Sequence, residues 1–232
     1  MKKIDFDLES NSFTNFLSAR HSMTARVNVE KTYKYSKDNG YSFFIISLGC
    51  ILKAANKVPE FKRRIIDNEV IEFDHLDGIS PLMNEKKEII AMKVKPPMGF
   101  KTVEEWHDYV KNIENKMLSL ENPKLIYEMD QRDDANIINC SCIPWVDFDS
   151  FTNCILNGQE IMPLITWGKM NDDYEIPVST TASHIFVYGL EFGYFYKYLQ
   201  ESFENPQEMI QEWPNSLIEK IIIVKEELKW LQ

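Results

Sequence analysis

Hydrophobic residues are arranged along the chain in stretches that alternate between strand and helix periodicity. Alternation of β-branched and polar residues predicts a strand over residues 22–29. The apolar run over residues 41–58 is long enough for a buried helix, which Pro59 ends. Thr102 and Glu105 have the spacing of a capping box, and the apolar residues that follow at helical spacing predict an amphipathic helix.

The rest of the chain continues this alternation of strands and helices. Turn residues divide the remaining β-rich segments, which predicts strands over residues 63–66, 69–73, 79–83, 88–94, 137–146, 161–170 and 174–185. Helices are predicted over residues 190–203 and 216–231, with Pro206 and Pro214 marking breaks between them. Because there is no internal repeat and no evident linker, these elements predict one domain that mixes strands and helices.

Composition narrows the classes of function. The 232 residues are 44% hydrophobic and 12% aromatic, which is typical of a soluble globular protein. The net charge of −10 gives no general attraction to phosphate backbones, so we expect no nucleic-acid partner. The sequence has no apolar run of about 18 residues or more, and its first residues lack the apolar core of a signal peptide, so we expect no membrane association.

The cysteines indicate a reducing compartment. Cys140 and Cys142 are too close together for a usual zinc pair and have no accompanying His or Cys cluster, so no metal is expected. Strand alternation places both sulfurs on one face, where we expect small buried thiols. A cytoplasmic location is the resulting expectation.

His184 is the main candidate for chemistry. It follows a long β-rich run and precedes Gly189, which opens the next predicted helix. The place where a strand end meets a helix start displays side chains on a rigid backbone with one side open. Taken alone, a histidine in this setting is more often structural than catalytic.

Ordered motifs over residues 5–200 resemble the chloramphenicol acetyltransferase family. The family signature His-His-x-x-x-Asp-Gly corresponds to residues 183–189, and the rare combination Pro-Trp-x-x-Phe-x-Ser-Phe corresponds to residues 144–151. Further matches, in the family's order, lie at residues 22–25, 59–65, 69–74, 163–169 and 176–179. The resemblance implies an α/β (α+β) fold, a two-layer sandwich in which helices cover one face of a mixed sheet, and a homotrimer with active sites at the subunit interfaces.

The resemblance also sets the expected domain organisation. We expect a chloramphenicol-acetyltransferase-like domain over residues 1–205. Residues 206–232 exceed the compact family core, and their apolar spacing predicts a C-terminal helical extension that packs on the same domain.

A reaction and its residues follow from the resemblance as well. In this family acetyl-CoA, a co-substrate, gives its acetyl group directly to a hydroxyl of chloramphenicol or a similar small molecule. His184 matches the general base, Ser150 the donor to the oxyanion, and Thr166 a threonine that organises the site through water. Lys169 matches a lysine near the CoA 3′-phosphate, and Trp167 and Ser150 are expected on the same cofactor-binding side.

Residues of the family pattern are replaced at the predicted site. Tyr188 stands where the family has an aspartate that pairs with an arginine near the N-terminus, and the best-matching N-terminal positions hold Glu9 and Ser10. Losing one partner would leave a buried unpaired charge, whereas losing both need not be costly, so we interpret the pair as exchanged as a unit. Ser183 replaces the first histidine of the signature, which is not the proton acceptor.

The sequence leaves three functions open. The first is an acetyl-CoA-dependent O-acetyltransferase, with antibiotic resistance as its expected biological role. The second is a catalytically impaired trimer that binds or senses a small molecule or nucleotide, in which Tyr188 fills or lines the cleft. The third is a structural partner that acts through the C-terminal helix. In each case Trp145 is expected in the hydrophobic core.

Overall fold

A computed structural model describes residues 1–16, 18–121, 136–154 and 162–211. The helices of this part of the chain are α1 (Glu30–Asp38), α2 (Phe43–Lys57), α3 (Val103–Leu118) and α4 (Gly189–Glu204). Its strands are β1 (Lys2–Ile4), β2 (Arg20–Asn28), β3 (Arg63–Ile66), β4 (Glu69–Glu72), β5 (Asp77–Met83), β6 (Ile89–Val94), β7 (Ile137–Cys142), β8 (Leu164–Trp167) and β9 (Glu175–Ser183).

The strands form one large mixed sheet and one small antiparallel sheet. The large sheet has the order β2-β9-β8-β7-β5-β6, and the small sheet has the order β1-β4-β3. In the large sheet β7 runs parallel to both β5 and β8, while the other neighbours are antiparallel. This arrangement confirms the predicted mixed α+β fold.

The main hydrophobic core lies between the helices and one face of the large sheet. Helix α2 is buried along most of its length, as its continuous apolar sequence predicts, and Ser42 caps its N-terminus by accepting a hydrogen bond from the Ile45 N–H. Alternate sheet residues such as Cys140, Ile165 and Val178 complete this core. A second, smaller cluster of buried hydrophobic residues lies on the opposite face of the large sheet and contains strand neighbours of these residues.

Residues just beyond position 205 pack on the same core. Met209 is completely buried, and a Cβ added to Gly49 of α2 would lie 2.6 Å from its sulfur and 2.8 Å from the Trp106 ring. The predicted helix over residues 216–231 lies outside the described residues. None of the helices described is long and apolar enough to cross a membrane.

Two sequence interpretations need correction in the stretch after β7. This strand ends at Cys142 instead of continuing to residue 146, since Pro144 has no N–H for the ladder and the chain turns there. The same turn carries Trp145 out of the sheet, so its side chain is 74% exposed and the prediction that it is a core residue is wrong.

Helix α1 begins directly after β2 and is not among the helices predicted from the sequence.

Candidate active site

His184 lies at the junction of β9 and α4, where the sequence analysis placed it. Its backbone N–H donates to the Ala19 carbonyl at 2.6 Å, which fixes the end of β9 against the segment before β2. A turn follows, closed by a hydrogen bond from the Val187 N–H to the Ser183 carbonyl at 3.0 Å, and α4 begins at Gly189. The imidazole is therefore presented from a short, well-braced turn.

The imidazole of His184 is held between two other rings. The Phe13 ring stacks on one face with centroids 3.8 Å apart, and the His21 ring stacks on the other face at 4.0 Å. The ring edge remains for contact with a ligand. Nδ1 of His184 is buried and, within the described parts of the chain, has no hydrogen-bond partner, which leaves Nε2 as the nitrogen available for chemistry.

Aromatic contacts stand where the family resemblance implies a salt bridge. The Tyr188 ring is nearly perpendicular to the His184 ring, with centroids 5.0 Å apart, and to the Phe13 ring, with centroids 5.9 Å apart. Its side chain is 42% exposed. Glu9 and Ser10 are both exposed as well. Uncharged rings thus join the N-terminal segment to the start of α4.

Ser150 lies in an irregular segment after β7 that several bonds hold in place. Arg26 of β2 pairs with Asp147 at 2.7 Å and with Asp149 at 3.2 Å. The Ser179 hydroxyl of β9 donates to the Phe151 carbonyl at 2.9 Å. Ser150 itself is exposed, so its hydroxyl is free of the core and open to a ligand.

Thr166 is buried in β8 and belongs to a chain of polar side chains. Its hydroxyl donates to the Asn153 amide oxygen at 2.7 Å, and the Asn153 amide nitrogen donates to the Thr181 hydroxyl at 3.0 Å. The Thr181 and Ser22 hydroxyls are 2.8 Å apart. Because Thr166 gives its proton to Asn153, it can only accept a further hydrogen bond, for example from water.

Lys169 and Trp167 lie at the end of β8 in different surroundings. Lys169 is exposed, and its backbone N–H donates to the Val146 carbonyl at 2.8 Å. Trp167 is 2% exposed and stacks on Phe44 of α2 at 5.9 Å. The cation therefore faces solvent beside the Ser150 segment, whereas the indole is part of the core.

The structure separates the predicted residues into two groups. Ser150, Thr166 and Lys169 cluster around the end of β8, near Ser179 of β9. His184 directly follows β9, and at the usual rise per residue it lies about 16 Å further along the strand direction than Ser179. By this estimate, the Ser150 segment and His184 of one chain lie apart.

Three residues of the site, Phe13, His21 and Asn153, are not predicted from the sequence. Phe13 lies in a short 3-10 turn, for which no periodic pattern signals a position near His184. His21 had a usable signal, since it directly precedes the predicted first strand. In the observed register it sits opposite Ala182, two residues before His184.

Cys140 is buried and Cys142 is partly buried, and the thiols of both are poor nucleophiles. Burial raises the pKa of Cys142 to about 12 and also raises the pKa of Cys140. Because the thiolate is the reactive form, neither group is activated at neutral pH. An acyl-enzyme on either of these cysteines is therefore disfavoured.

Gly168 allows the Ser150 segment to approach β8 closely. A Cβ there would lie 2.6 Å from the Val146 carbonyl oxygen and 2.7 Å from the Pro177 ring. We expect Gly168→Ala to lower the free energy of unfolding by about 1–3 kcal/mol, measured by urea denaturation, and to lower any activity that depends on Ser150. Gly193→Ala is the control, because nothing lies within 4 Å of its Cβ position in α4, and it should raise stability by about 0.5–1 kcal/mol. Equal effects of the two substitutions would contradict this account.

Asn153 should matter for stability as well as for the site. Asn153→Ala removes the acceptor of the buried Thr166 hydroxyl, and leaving such a group unsatisfied costs about 1–3 kcal/mol of unfolding free energy. Thermal and urea unfolding would measure this loss. Thr152→Ala changes the exposed neighbouring residue and should stay within about 0.5 kcal/mol of the wild type. A loss no larger for Asn153→Ala than for Thr152→Ala would show that the polar chain contributes little.

Comparisons with known proteins agree with this architecture. The family described as "Chloramphenicol acetyltransferase" has a sequence model that matches residues 6–222. Chloramphenicol acetyltransferase 3 of Escherichia coli is 24% identical over 190 residues, which cover 78% of this chain and 84% of that protein. A chloramphenicol acetyltransferase of Bacillus pumilus is 21% identical over 221 residues, covering 91% of this chain and 97% of its own.

Solved structures show the same fold. A chloramphenicol acetyltransferase aligns over 83% of this chain and 92% of its own, with a TM-score of 0.72 and 24% sequence identity. The dihydrolipoamide acetyltransferase of Azotobacter vinelandii aligns over 83% of this chain and 84% of its own, with a TM-score of 0.62 and 11% identity. The layered arrangement of sheet and helices is thus common to all three chains.

Proposed function

The chain belongs to the chloramphenicol acetyltransferase family, and from this premise we propose that it is a CoA-dependent O-acetyltransferase with His184 as its general base. The donor is acetyl-CoA, and the acceptor is a hydroxyl of chloramphenicol or a similar small molecule. One observation carries the proposal. The His184 imidazole is fixed at the junction of β9 and α4, with both faces covered and one edge left for a substrate.

In the proposed reaction the acceptor hydroxyl attacks the carbonyl carbon of the acetyl thioester while Nε2 of His184 takes its proton. Nε2 can accept when the single proton of the neutral ring is on Nδ1. The Ser150 hydroxyl donates a hydrogen bond to the oxyanion of the tetrahedral intermediate. When the intermediate collapses, the C–S bond breaks and the CoA thiolate recovers the proton from His184.

We place this site between subunits of a homotrimer. The separation of about 16 Å along β9 keeps Ser150 and His184 of one chain from contacting the same thioester. In a ring of subunits, the His184 edge of one copy meets the Ser150 segment of the next copy. Each interface then holds one complete site.

Lys169 is proposed to bind the CoA phosphate. On a protein with a net charge of −10, an anionic co-substrate needs a local cation, and Lys169 supplies one in solvent beside the Ser150 segment. Thr166 is proposed to accept a hydrogen bond from an ordered water of the site. Trp167 is buried, so we propose that its role on this side is to support β8 by packing and not to touch the coenzyme.

A cytoplasmic location and a role in antibiotic resistance complete the proposal. The four cysteines are all free thiols, which suits a reducing compartment. Resistance would follow if chloramphenicol is the preferred acceptor, since acetylation removes the hydroxyl as a hydrogen-bond donor.

A second candidate is a trimer of the same fold that binds a ligand without catalysis. The observation that favours it is the ring of Tyr188, which stands 5.0 Å from the His184 centroid and is partly exposed. In this role Tyr188 would line the cleft and limit the access of an acceptor to His184.

Product analysis distinguishes the two functions. The protein is incubated with acetyl-CoA and a panel of hydroxylated acceptors that includes chloramphenicol, and acetylated products are identified by mass spectrometry. An acetylated acceptor that requires the protein supports the enzyme. If no acceptor is modified and calorimetry detects no binding of acetyl-CoA, the catalytic proposal fails and the cleft serves another ligand.

A further inference from the structure

We propose that His21 is a positioning residue for His184. It fixes the plane of the His184 ring and the turn that carries this ring, and it remains uncharged through the reaction. The inference rests on the proposed function, because it takes His184 as the group that accepts the proton. The observations that carry it are a stacked column of three rings and one hydrogen bond across the strand end.

The column fixes the plane of the His184 ring. Phe13 and His21 are nearly parallel to it, with interplanar angles of 10° and 8°. Phe192 of α4 packs on His21 at 4.7 Å and supports the column from the side. Rotation of the His184 ring about its bond to the main chain would break both stacking contacts, so the ring keeps one orientation.

His21 also ties β2 to the turn that carries His184. Its Nε2 lies 2.9 Å from the Val187 carbonyl oxygen. A carbonyl oxygen only accepts, so Nε2 of His21 holds a proton and donates it to Val187. This hydrogen bond from β2 therefore braces the turn at Val187, which lies three residues after His184.

The surroundings of His21 favour its neutral form. Burial is the main reason that the pKa of His21 lies below its ordinary value, and the facing His184 lowers it further, while the bond to Val187 acts in the opposite direction. The titratable group that faces His21 from the turn is His184, and the groups that face it from α4 and the turn backbone, Phe192 and the Val187 carbonyl, are uncharged. On the other side of His184 stand Tyr188 and the uncharged ring of Phe13.

The stacked arrangement of His21 and His184 suits one positive charge and not two. Charges on both rings would face each other across the 4.0 Å that separates the ring centroids, and they would repel. When His184 becomes an imidazolium during the reaction, His21 stays neutral, and the cation lies between two neutral aromatic faces. The column thus suits the charged form of the base that the reaction creates.

The covered faces also restrict how an acceptor approaches. The lone pair of Nε2 lies in the ring plane, and the stacked rings exclude a hydroxyl from above and below. An acceptor must therefore reach His184 at the ring edge, which is the direction that proton transfer requires.

Three substitutions separate the two contributions of His21. His21→Phe keeps a flat ring and loses the donor to Val187, His21→Gln keeps a donor and loses the ring, and His21→Ala loses both. We expect kcat to fall about 10-fold in each of the first two variants and about 100-fold in the third, because small misplacements of a catalytic group have effects of this size. The KM for acetyl-CoA should stay within about two-fold of the wild type, since His21 does not contact the coenzyme in this account.

The matched control is His75→Gln, which changes an exposed histidine outside the site and should leave kcat within about two-fold. Melting temperatures establish that each variant is folded. If the wild type is active and folded His21→Ala retains at least half of its kcat, the positioning role is overturned while the proposed function stands.

Nuclear magnetic resonance tests the same inference without activity. Long-range proton–nitrogen spectra of the wild type should show His21 as the Nε2–H tautomer, still uncharged at a pH where free histidine is half protonated. The His184 ring signals should shift in His21→Gln and stay unchanged in His75→Gln. A His21 ring that is protonated on Nδ1 alone, or that is charged at neutral pH, overturns the inference, and it does so even if no acceptor is ever acetylated.

Discussion

Replacing His184 with alanine is expected to lower kcat by a factor of about 10²–10⁴, the usual contribution of a positioned general base. The substitution removes the imidazole that takes the hydroxyl proton and leaves the Ser150 segment and Lys169 in place. The KM for acetyl-CoA should therefore change little. Initial rates of thiol release at saturating acetyl-CoA and acceptor measure the effect.

Two controls distinguish the loss of the catalytic base from a folding defect. His75→Ala changes an exposed histidine of the same type and should retain the wild-type rate. The His184→Ala protein should also keep a cooperative melting transition, because the core around α2 does not include the His184 ring. A folded His184→Ala protein with more than half of the wild-type kcat would show that another group is the base.

Mixing two inactive variants should restore activity if each site is shared by two subunits. Ser150→Ala is expected to lower kcat by about 10²–10³ through loss of the oxyanion donor. A site in a mixed trimer is intact when its histidine comes from a Ser150→Ala subunit and its serine from a His184→Ala subunit. With random mixing at equal amounts this holds for roughly a quarter of the sites in a cyclic trimer.

The experiment is to denature equal amounts of His184→Ala and Ser150→Ala, refold them together and assay thiol release. We expect roughly a quarter of the rate of wild-type protein that has passed through the same procedure. Each variant refolded alone is the control and should stay near its own low rate. If the mixture is no more active than the mean of the two controls, both residues belong to the same subunit's site and the interface arrangement is wrong.

Elements with strong local signals were predictable from the sequence. The continuous apolar sequence of α2 predicts a helix buried in the core. The observed helix begins and ends within two residues of the predicted bounds. Asp67 and Asn68 form the predicted two-residue turn between β3 and β4, where their φ angles of 50° and 61° suit the left-handed region that these residue types tolerate. Local chemistry was sufficient in both cases.

The parts of the site that depend on distant contacts were not predictable in this way. The position of His184 followed from the strand and helix on either side of it. One of its two stacking partners lies in a 3-10 turn, and the other is brought near by the register between β2 and β9. Neither feature produces a periodic pattern in the sequence. The prediction that Trp145 lies in the core is wrong for a local reason, because the predicted strand runs to residue 146 and past Pro144, whereas β7 ends at Cys142.

The aromatic cluster explains how the site is built without the family's salt bridge. A buried ion pair requires good geometry to offset the loss of solvation, and removing only one partner is strongly destabilising. Here Phe13 and Tyr188 meet edge to face and both contact His184. Neutral ring contacts of this kind stabilise by about 0.5–1.5 kcal/mol each beyond their buried area and leave no unpaired charge. The sequence interpretation of an exchanged pair is consistent with this arrangement.

Acceptor-dependent release of thiol from acetyl-CoA by the wild-type protein tests the central claim most directly. Rates are followed with chloramphenicol and with the acceptor panel, alongside the His184→Ala protein and a reaction without acceptor. We expect release that requires an acceptor, equals the amount of acetylated product and falls to the background rate in His184→Ala. Release that no acceptor stimulates, or that is the same in wild type and His184→Ala, would contradict it.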